Sequence, residues 1–214
     1  MIDYYCKLQP GGFYHVFNQG NNKENLFYTK ANYEYFLRQY DYYLSPYVDT
    51  FAFCLLGNHF HLLIAVKSEQ EILNLSLLRE VKDLKNTEVK DLKIEPHELV
   101  AKQFQAFFTG YAKAINLQTK RTGSLFRKRF KRVEVDSTRY LANLVYYIHA
   151  NPQRHGIYPD FRDYSWSSYE RIMRNKPTKL QKQAVLEWFN DKQNYVDYHA
   201  SVPDLDNIRH LMIE

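Results

Sequence analysis

The sequence predicts an α+β domain in which an antiparallel sheet packs against helices, followed by a helical extension at the C-terminal end. Two observations support this class. Short stretches rich in β-branched and aromatic residues alternate with longer stretches that repeat apolar residues at helical spacing. Two of the short stretches are separated only by Gly57 and Asn58, a pair typical of a two-residue β-hairpin, and a hairpin makes neighbouring strands antiparallel.

Strands and helices alternate over the first two thirds of the chain. In order, the predicted elements are a strand at 13–20, a helix at 29–44, strands at 48–56 and 59–66, a long helix at about 99–117 and a strand at 133–135. Thr29 is the predicted cap of the first helix, and Pro46 stops it. The connector 67–100 lacks aromatic residues and glycine and is predicted to be exposed helix plus a polar link. This order is the split βαβ arrangement of ferredoxin-like folds.

A further helix is predicted over 138–150, where apolar residues form a stripe at helical spacing. Asp136 or Ser137 is its predicted cap, and Asn151-Pro152 its predicted end. The ferredoxin-like prediction places this helix on the sheet.

The last part of the chain is predicted to be helical as well. Residues 160–175 look irregular, and two amphipathic helices follow near 179–190 and 192–200. We therefore divide the chain into a domain at 1–176 and a C-terminal helical appendage at 177–214.

Composition and charge exclude several classes of protein. The 7 Gly and 7 Pro in 214 residues are too few for a fibrous or disordered chain. No run of about 18 apolar residues exists, so no membrane span is expected, and the N-terminus does not resemble a signal peptide. With only Cys6 and Cys54 present, a reducing cytoplasm is the expected compartment. The net charge of +5 permits a nucleic-acid partner without requiring one.

The His-Phe-His motif at 59–61 is a candidate metal site. Side chains in a strand alternate between faces, so His59 and His61 point the same way, with Cα atoms roughly 6.5–7 Å apart. Two imidazoles at that spacing can converge on one ion, while Phe60 and Leu62 anchor the other face in the core. The alternative is a pair of hydrogen-bonded histidines on a half-exposed sheet.

The helix over 138–150 offers further candidate groups. Tyr147 and Asn151 are four residues apart, so they stand one above the other along one flank of the apolar stripe. On a helix packed beside the two histidines, they would bring a phenol and an amide oxygen to the same place. The alternative is that Tyr147 packs at the edge of the stripe and Asn151 caps the helix end.

The segment 120–132 is strongly basic and contains no acidic residue. Cations that neutralise phosphates, with aromatic rings between them for base stacking, are a common means of holding single strands. A solvated basic loop is the alternative. The candidate nucleic-acid-binding residues are Lys120, Arg121, Phe126, Arg127, Lys128, Arg129, Lys131 and Arg132.

Five sequence blocks, in one order over about residues 11–170, resemble the REP-associated tyrosine transposases, which are single-tyrosine HUH nucleases. They are YHVFNQGNN, GNHFHLLI, GSLFRKRFK, YYIHANPQRHGI and YSWSSY. The resemblance implies a ferredoxin-like domain that cuts and rejoins single-stranded DNA at hairpin-bearing elements. The chain departs from the family pattern at Phe126-Arg127 and at His155, which bears on DNA-site specificity more than on chemistry.

Carried over residue by residue, the resemblance implies that Tyr147 is the nucleophile and forms a 5′-phosphotyrosine. It also implies that His59, His61 and Asn151 bind a divalent ion. By ligand softness, two imidazoles and an amide suit Mn²⁺, Co²⁺ or Ni²⁺ better than Mg²⁺, whereas cellular supply favours Mg²⁺. Mg²⁺ or Mn²⁺ is the predicted ion, and the sequence does not decide between them.

The implied partner is single-stranded or hairpin DNA, and both a monomer and a homodimer remain open. Two other classes of function compete with a DNA-nicking and strand-transfer enzyme. One is a structured-nucleic-acid binder of the same fold without catalysis. The other is a metal-dependent hydrolase that uses water in place of Tyr147.

Overall fold

The computed structural model describes residues 3–75, 94–135, 137 and 140–212. Within these ranges, four strands form one sheet in the order β2-β3-β1-β4, and every neighbouring pair is antiparallel. The strands are β1 Phe13–Gln19, β2 Val48–Leu56, β3 His59–Val66 and β4 Lys131–Glu134. With a helix between β1 and β2 and another between β3 and β4, this is the predicted ferredoxin-like arrangement.

The described part of the chain includes the following α-helices. They are α1 Lys30–Tyr43, α2 Pro96–Thr119, α3 Leu141–Arg154, α4 Tyr169–Met173, α5 Lys182–Trp188 and α6 Lys192–Ala200. None of these described helices is long and apolar enough to cross a membrane. The predicted cap at Asp136, the predicted helix start at 138 and most of the polar connector lie outside the described residues.

The predicted end of α3 and the predicted start of β4 are wrong, and residues 160–175, predicted to be irregular, contain the short helix α4. Helix α3 does not end at Asn151-Pro152 but continues to Arg154. Pro152 removes one N–H donor from the last turn, yet the backbone N–H of His155 still reaches the Asn151 carbonyl at 3.0 Å. Strand β4 begins at Lys131 rather than at residue 133, because it pairs with β1 from that residue onward.

One face of the sheet packs on α1 and α2 and holds the larger aromatic core. Phe60 of β3 is fully buried, and its ring centroid lies 5.3 Å from that of Phe36 in α1. The Phe36 ring in turn lies 4.9 Å from Phe107 of α2. Burying a side chain of this size contributes about 1.5–3 kcal/mol to folding, so β3 is anchored firmly from this side.

The other face of the sheet packs on α3 and the C-terminal segment. Leu144, Val145 and Ile148 of α3 are buried in one cluster with Leu63 of β3. Residues from beyond 176 complete the same cluster, namely Val185, Phe189, Tyr195, Ile208 and Leu211. The division at residue 176 stays a prediction, and the C-terminal segment shares this core.

The turn between β2 and β3 fixes the start of β3. Leu56 pairs with His59, so only Gly57 and Asn58 connect the strands, as predicted. The Gly57 carbonyl accepts a hydrogen bond from Leu26 N–H at 2.8 Å, and the Asn58 carbonyl accepts one from Gly20 N–H at 2.8 Å. His59 therefore follows a turn that is tied to two other parts of the chain.

The segment YSWSSY covers the outer edge of β2. The Trp166 carbonyl accepts from Leu55 N–H at 2.9 Å, and the Ser168 hydroxyl accepts from Phe53 N–H at 2.9 Å. Backbone donors at a sheet edge are otherwise free to pair with other chains. This block therefore has a structural role: it covers the free edge of β2.

Candidate active site

A cavity of about 540 Å³ opens where β1 ends and β3 begins. Its lining includes His59 and His61 together with His155 from the end of α3. Lys23 and Arg127 add two cations to the same cavity. The predicted histidine pair and one residue of the predicted basic segment thus meet in one place.

The two histidines of β3 project to the same face, as strand alternation predicts. Their ring centroids are 5.3 Å apart. His59 is half-buried, and its Nδ1 lies 2.6 Å from the Asn58 Oδ1. Because an amide oxygen only accepts, His59 Nδ1 donates this bond, and its Nε2 keeps a lone pair. His61 is buried, and its Nδ1 is occupied by a bond to His15 Nε2 at 3.0 Å.

Asn151 is fully buried on the same helix as Tyr147. Its Nδ2 donates to the Tyr147 backbone carbonyl at 2.7 Å. A carbonyl only accepts, so the NH₂ group must face it, and the orientation of the amide is thereby settled. The Oδ1 is left as the available acceptor.

Three buried side-chain N or O atoms among the described residues have no hydrogen-bond partner, and two of them are His61 Nε2 and Asn151 Oδ1. A buried polar atom without a partner costs about 1–3 kcal/mol. A divalent ion would satisfy either atom. An unprotonated imidazole nitrogen and an amide oxygen are donor types that suit the predicted ion.

The predicted ligand set includes an amide oxygen as well as imidazoles. Over the ranges that the structure describes, no three His, Cys, Asp or Glu side chains are arranged to hold a metal ion. A centre built from the predicted ligands would therefore use two imidazoles and the Asn151 oxygen. Three protein ligands, with room for water or substrate, are typical of a catalytic rather than a structural metal centre.

Tyr147 lies on the face of α3 that meets these histidines. Its ring centroid is 5.7 Å from that of His61 and 5.9 Å from that of His15. The Arg154 guanidinium carbon lies 5.5 Å from the centre of the same ring. The side chain is 2% exposed, so the nucleophile predicted from the sequence is enclosed in this conformation.

Two neighbours of Tyr147 on α3 face elsewhere. The Tyr146 ring packs against Phe161, at 5.7 Å between centroids. His149 is fully buried, and its Nδ1 and Nε2 bond to His199 Nε2 at 3.0 Å and Ser168 Oγ at 2.7 Å. Tyr146 and His149 therefore point away from Tyr147, as the turn of 100° per residue along an α-helix predicts.

Burial keeps the histidines of the site neutral. It lowers the pKa of His15 to about 4 and is the main cause that lowers the pKa of His59 to about 4, with the neighbouring His155 adding to the effect. Burial, and then the nearby His15, holds the pKa of His61 well below its usual range. Neutral imidazole is the form that binds metals.

These lowered pKa values predict an acid-sensitive fold. The unfolded chain binds protons on His15 below about pH 6.5, whereas the folded chain does so only near pH 4. Stability is therefore fully present above pH 6.5 and falls as the pH drops from 6.5 towards 4. For His15 alone, the unfolding free energy should fall by about 2 kcal/mol between pH 7 and pH 5. Urea titrations at the two pH values, with chelator present, measure it, and equal midpoints would contradict it.

The structure divides the predicted nucleic-acid-binding residues into two groups. Lys120, Arg127, Lys128 and Arg129 are exposed, and Lys131 is half-buried with its Nζ 4.7 Å from the Tyr4 ring centre. Phe126 requires a correction: it is 7% exposed, and its ring packs 5.0 Å from Phe108 in the core. A ring held there is not available for base stacking.

Arg121 and Arg132 also have internal partners. Arg121 forms an ion pair with Glu24 and donates to Asn116 Oδ1 at 2.9 Å. Arg132 donates to the carbonyls of Cys6, at 2.5 Å, and Tyr5, at 3.1 Å. Both arginines therefore hold the fold together.

Several residues near the site were missed by the sequence analysis. Arg154 and His155 escaped because the predicted helix ended too early, although His155 continues the four-residue spacing of Tyr147 and Asn151. The Tyr5 ring is 44% exposed and lies 5.8 Å from the Arg129 guanidinium. The position of His15 could have been inferred from strand alternation. In β1, His15 lies on the same face as Phe17, which pairs with His61.

The comparisons with known proteins agree with this architecture. No protein-family model and no curated protein sequence matches the chain. A solved structure of a REP-associated tyrosine transposase bound to a REP hairpin is similar, with a TM-score of 0.52 and 17% identity. The match covers 84% of this chain and 90% of that one. At this identity the similarity concerns the fold alone: the chain shares the α+β fold of that transposase.

Proposed function

We propose that the chain is a metal-dependent enzyme that nicks and rejoins single-stranded, hairpin-bearing DNA through a 5′-phosphotyrosine. One observation carries the proposal. The partnerless buried atoms His61 Nε2 and Asn151 Oδ1 belong to predicted ligands that lie beside the predicted nucleophile Tyr147. The fold shared with a hairpin-bound transposase supports DNA as the partner.

In this proposal, His59, His61 and Asn151 hold a divalent ion, either Mn²⁺ or Mg²⁺. Such an ion polarises the scissile phosphate. Lys23 and Arg127 in the same cavity neutralise the adjoining phosphates. The site thereby combines electrostatic stabilisation of the phosphate with binding of the strand.

The proposed reaction exchanges one phosphate ester bond for another in each step, so no phosphodiester is lost overall. The Tyr147 hydroxyl oxygen forms a bond to phosphorus, the bond from phosphorus to the 3′ oxygen breaks, and that oxygen gains a proton as the phenol loses one. The 3′-OH of a second strand then attacks the phosphotyrosine and restores a phosphodiester and the free phenol. This is covalent catalysis by a nucleophile that is regenerated.

The burial of Tyr147 has two consequences for the proposal. Attack on DNA requires its ring to turn from the core towards the cavity, since its side chain is only 2% exposed. The same burial favours a second candidate function, a binder of structured nucleic acid in which this tyrosine is only a packing residue.

An adduct assay distinguishes the candidates. The protein is incubated with Mn²⁺ and a library of hairpin-flanked single strands, and covalent complexes are isolated under denaturing conditions. The proposed enzyme yields a tyrosine-linked adduct that chelator prevents. A binder retards the strands without an adduct, and a hydrolase cuts them without one.

The exposed cations of the basic segment predict the salt dependence of binding. Changing Arg127, Lys128 and Arg129 to Gln should flatten the log–log dependence of single-strand affinity on salt by roughly 0.7 per lost contact, or about 2 in total. Filter binding at several salt concentrations measures the slope.

A control set carries the same change of net charge. Lys102, Lys113 and Lys192 are also exposed but lie away from the cavity, so changing them to Gln should leave the slope nearly unchanged. Equal slopes for both triple variants would mean that the basic segment does not contact DNA.

A further inference from the structure

A chain of buried hydrogen bonds connects the C-terminal segment to His61. His15 Nδ1 lies 2.7 Å from the Leu211 carbonyl oxygen, and His15 Nε2 lies 3.0 Å from His61 Nδ1. The two imidazole rings stack with centroids 5.2 Å apart. His15 is fully buried and His61 is 3% exposed, so water does not compete for these bonds.

The chain of bonds has one permitted direction. The Leu211 carbonyl only accepts, so the proton of a neutral His15 sits on Nδ1. Its Nε2 then carries a lone pair and must accept from His61, which places the His61 proton on Nδ1. A neutral imidazole has one N–H, so His61 Nε2 is left with a lone pair, and this is the buried atom without a partner.

A second chain of the same kind in this protein ends differently. His199 Nδ1 lies 2.7 Å from the Tyr195 carbonyl, and His199 Nε2 lies 3.0 Å from His149 Nδ1. His149 Nε2, however, is only 2.7 Å from the Ser168 hydroxyl, which donates to it. In the series of hydrogen bonds through His199 and His149, every ring nitrogen has a partner within the protein. The series through His15 and His61 ends at the lone pair of His61 Nε2, which has none among the described residues.

We propose that His15, fixed by the Leu211 carbonyl, is a positioning residue that holds His61 in the tautomer with an unprotonated Nε2 directed at the candidate centre. The use of that lone pair for a divalent ion rests on the proposed function. Ring orientation and tautomer of a metal-binding histidine are commonly set by a partner on its other nitrogen. Here that partner is a second histidine anchored by the backbone of the C-terminal segment.

Nitrogen NMR of the metal-free protein, labelled with ¹⁵N-histidine, tests the assignment without any substitution. Protonated and unprotonated ring nitrogens have widely separated shifts. We expect both His15 and His61 to carry their proton on Nδ1. A proton on His61 Nε2 would overturn the proposal.

Two substitutions at His15 separate positioning from packing. His15→Gln keeps an acceptor for His61 and a donor for Leu211, whereas His15→Leu keeps neither. With Leu, His61 should shift towards the Nε2–H tautomer, and Mn²⁺ affinity measured by calorimetry should fall about 10–100-fold. His15→Gln should restore most of the affinity, which a purely structural role would not require.

His199→Leu is the matched control. His199 is 2% exposed and bonded to a backbone carbonyl in the same way, so its loss should lower stability and leave Mn²⁺ affinity unchanged. Unchanged affinity and tautomer in a folded His15→Leu protein would defeat the proposal. A parent protein with the expected tautomers that binds no Mn²⁺ would instead defeat the proposed function and leave the bonding chain standing.

Discussion

We expect that replacing Tyr147 by Phe abolishes the covalent adduct and the strand cleavage of the proposed reaction while the protein stays folded. The substitution removes the one oxygen that attacks phosphorus in the proposed reaction and keeps the ring that packs against His15 and His61. Loss of one buried hydroxyl should lower the unfolding free energy by no more than about 1–2 kcal/mol. Affinity for Mn²⁺ and for single-stranded DNA should survive, since neither depends on the phenol.

Tyr146→Phe is the internal control for this result. Its ring lies one residue further round α3, against Phe161 and Tyr198, so the adduct should form as in the parent. Adduct yield on a denaturing gel, together with mass spectrometry of the linked peptide, reads out both variants. Cleavage that persists in Tyr147→Phe without an adduct would favour the water-using hydrolase. An adduct that moves to Tyr146 would refute the pairing of Tyr147 with Asn151.

We expect that replacing His61 by Ala removes the proposed divalent-ion binding and, with it, the proposed cleavage. In the proposed centre His61 supplies one of the two imidazole ligands, and its buried Nε2 has no hydrogen-bond partner among the described residues. Asn151→Ala should weaken binding less, because an amide oxygen is a weaker ligand than imidazole and water can replace it. Calorimetry measures the Mn²⁺ affinity of each variant, and circular dichroism tests whether each is folded.

His155→Ala is the control for this ranking, because it removes a histidine of the same cavity that is not a predicted ligand. His155 lines the same cavity, 5.0 Å from the His59 ring, but the described residues contain no three-histidine metal arrangement. Its loss should therefore leave Mn²⁺ affinity close to that of the parent. Equal affinity in His61→Ala and the parent would show that the ion, if bound, lies elsewhere.

Short-range periodicity accounts for what could be predicted from the sequence. A strand has a side-chain period of two, so His59 and His61 had to share a face once the Gly57-Asn58 hairpin fixed the start of β3. A helix turns 100° per residue, so Tyr147 and Asn151 had to share a flank. Both relations hold between residues a few positions apart, where local geometry is decisive.

Relations between distant residues could not be predicted in the same way. Nothing within the segment 120–132 indicates that Phe126 meets Phe60 and Phe108, because those contacts depend on how β3 and α2 pack. The contact from His15 to Leu211 spans 196 positions. Pro152 misled the prediction for another reason: it removed one hydrogen bond, but the others in the last turn of α3 were sufficient to continue the helix.

The hydrogen bond from His15 to the Leu211 carbonyl also has a consequence for the order in which parts of the site are completed during synthesis. A ribosome adds roughly 5–20 residues per second, so about 10–40 s separate the synthesis of His15 from that of Leu211, 196 positions later. Once Asn151 has been added, the nascent chain contains His59, His61, Tyr147 and Asn151 but not yet the Leu211 carbonyl that orients His15. A chain interrupted between residues 151 and 211 would carry the predicted site residues without this anchor, so we expect it to bind the proposed ion more weakly than the 214-residue chain does.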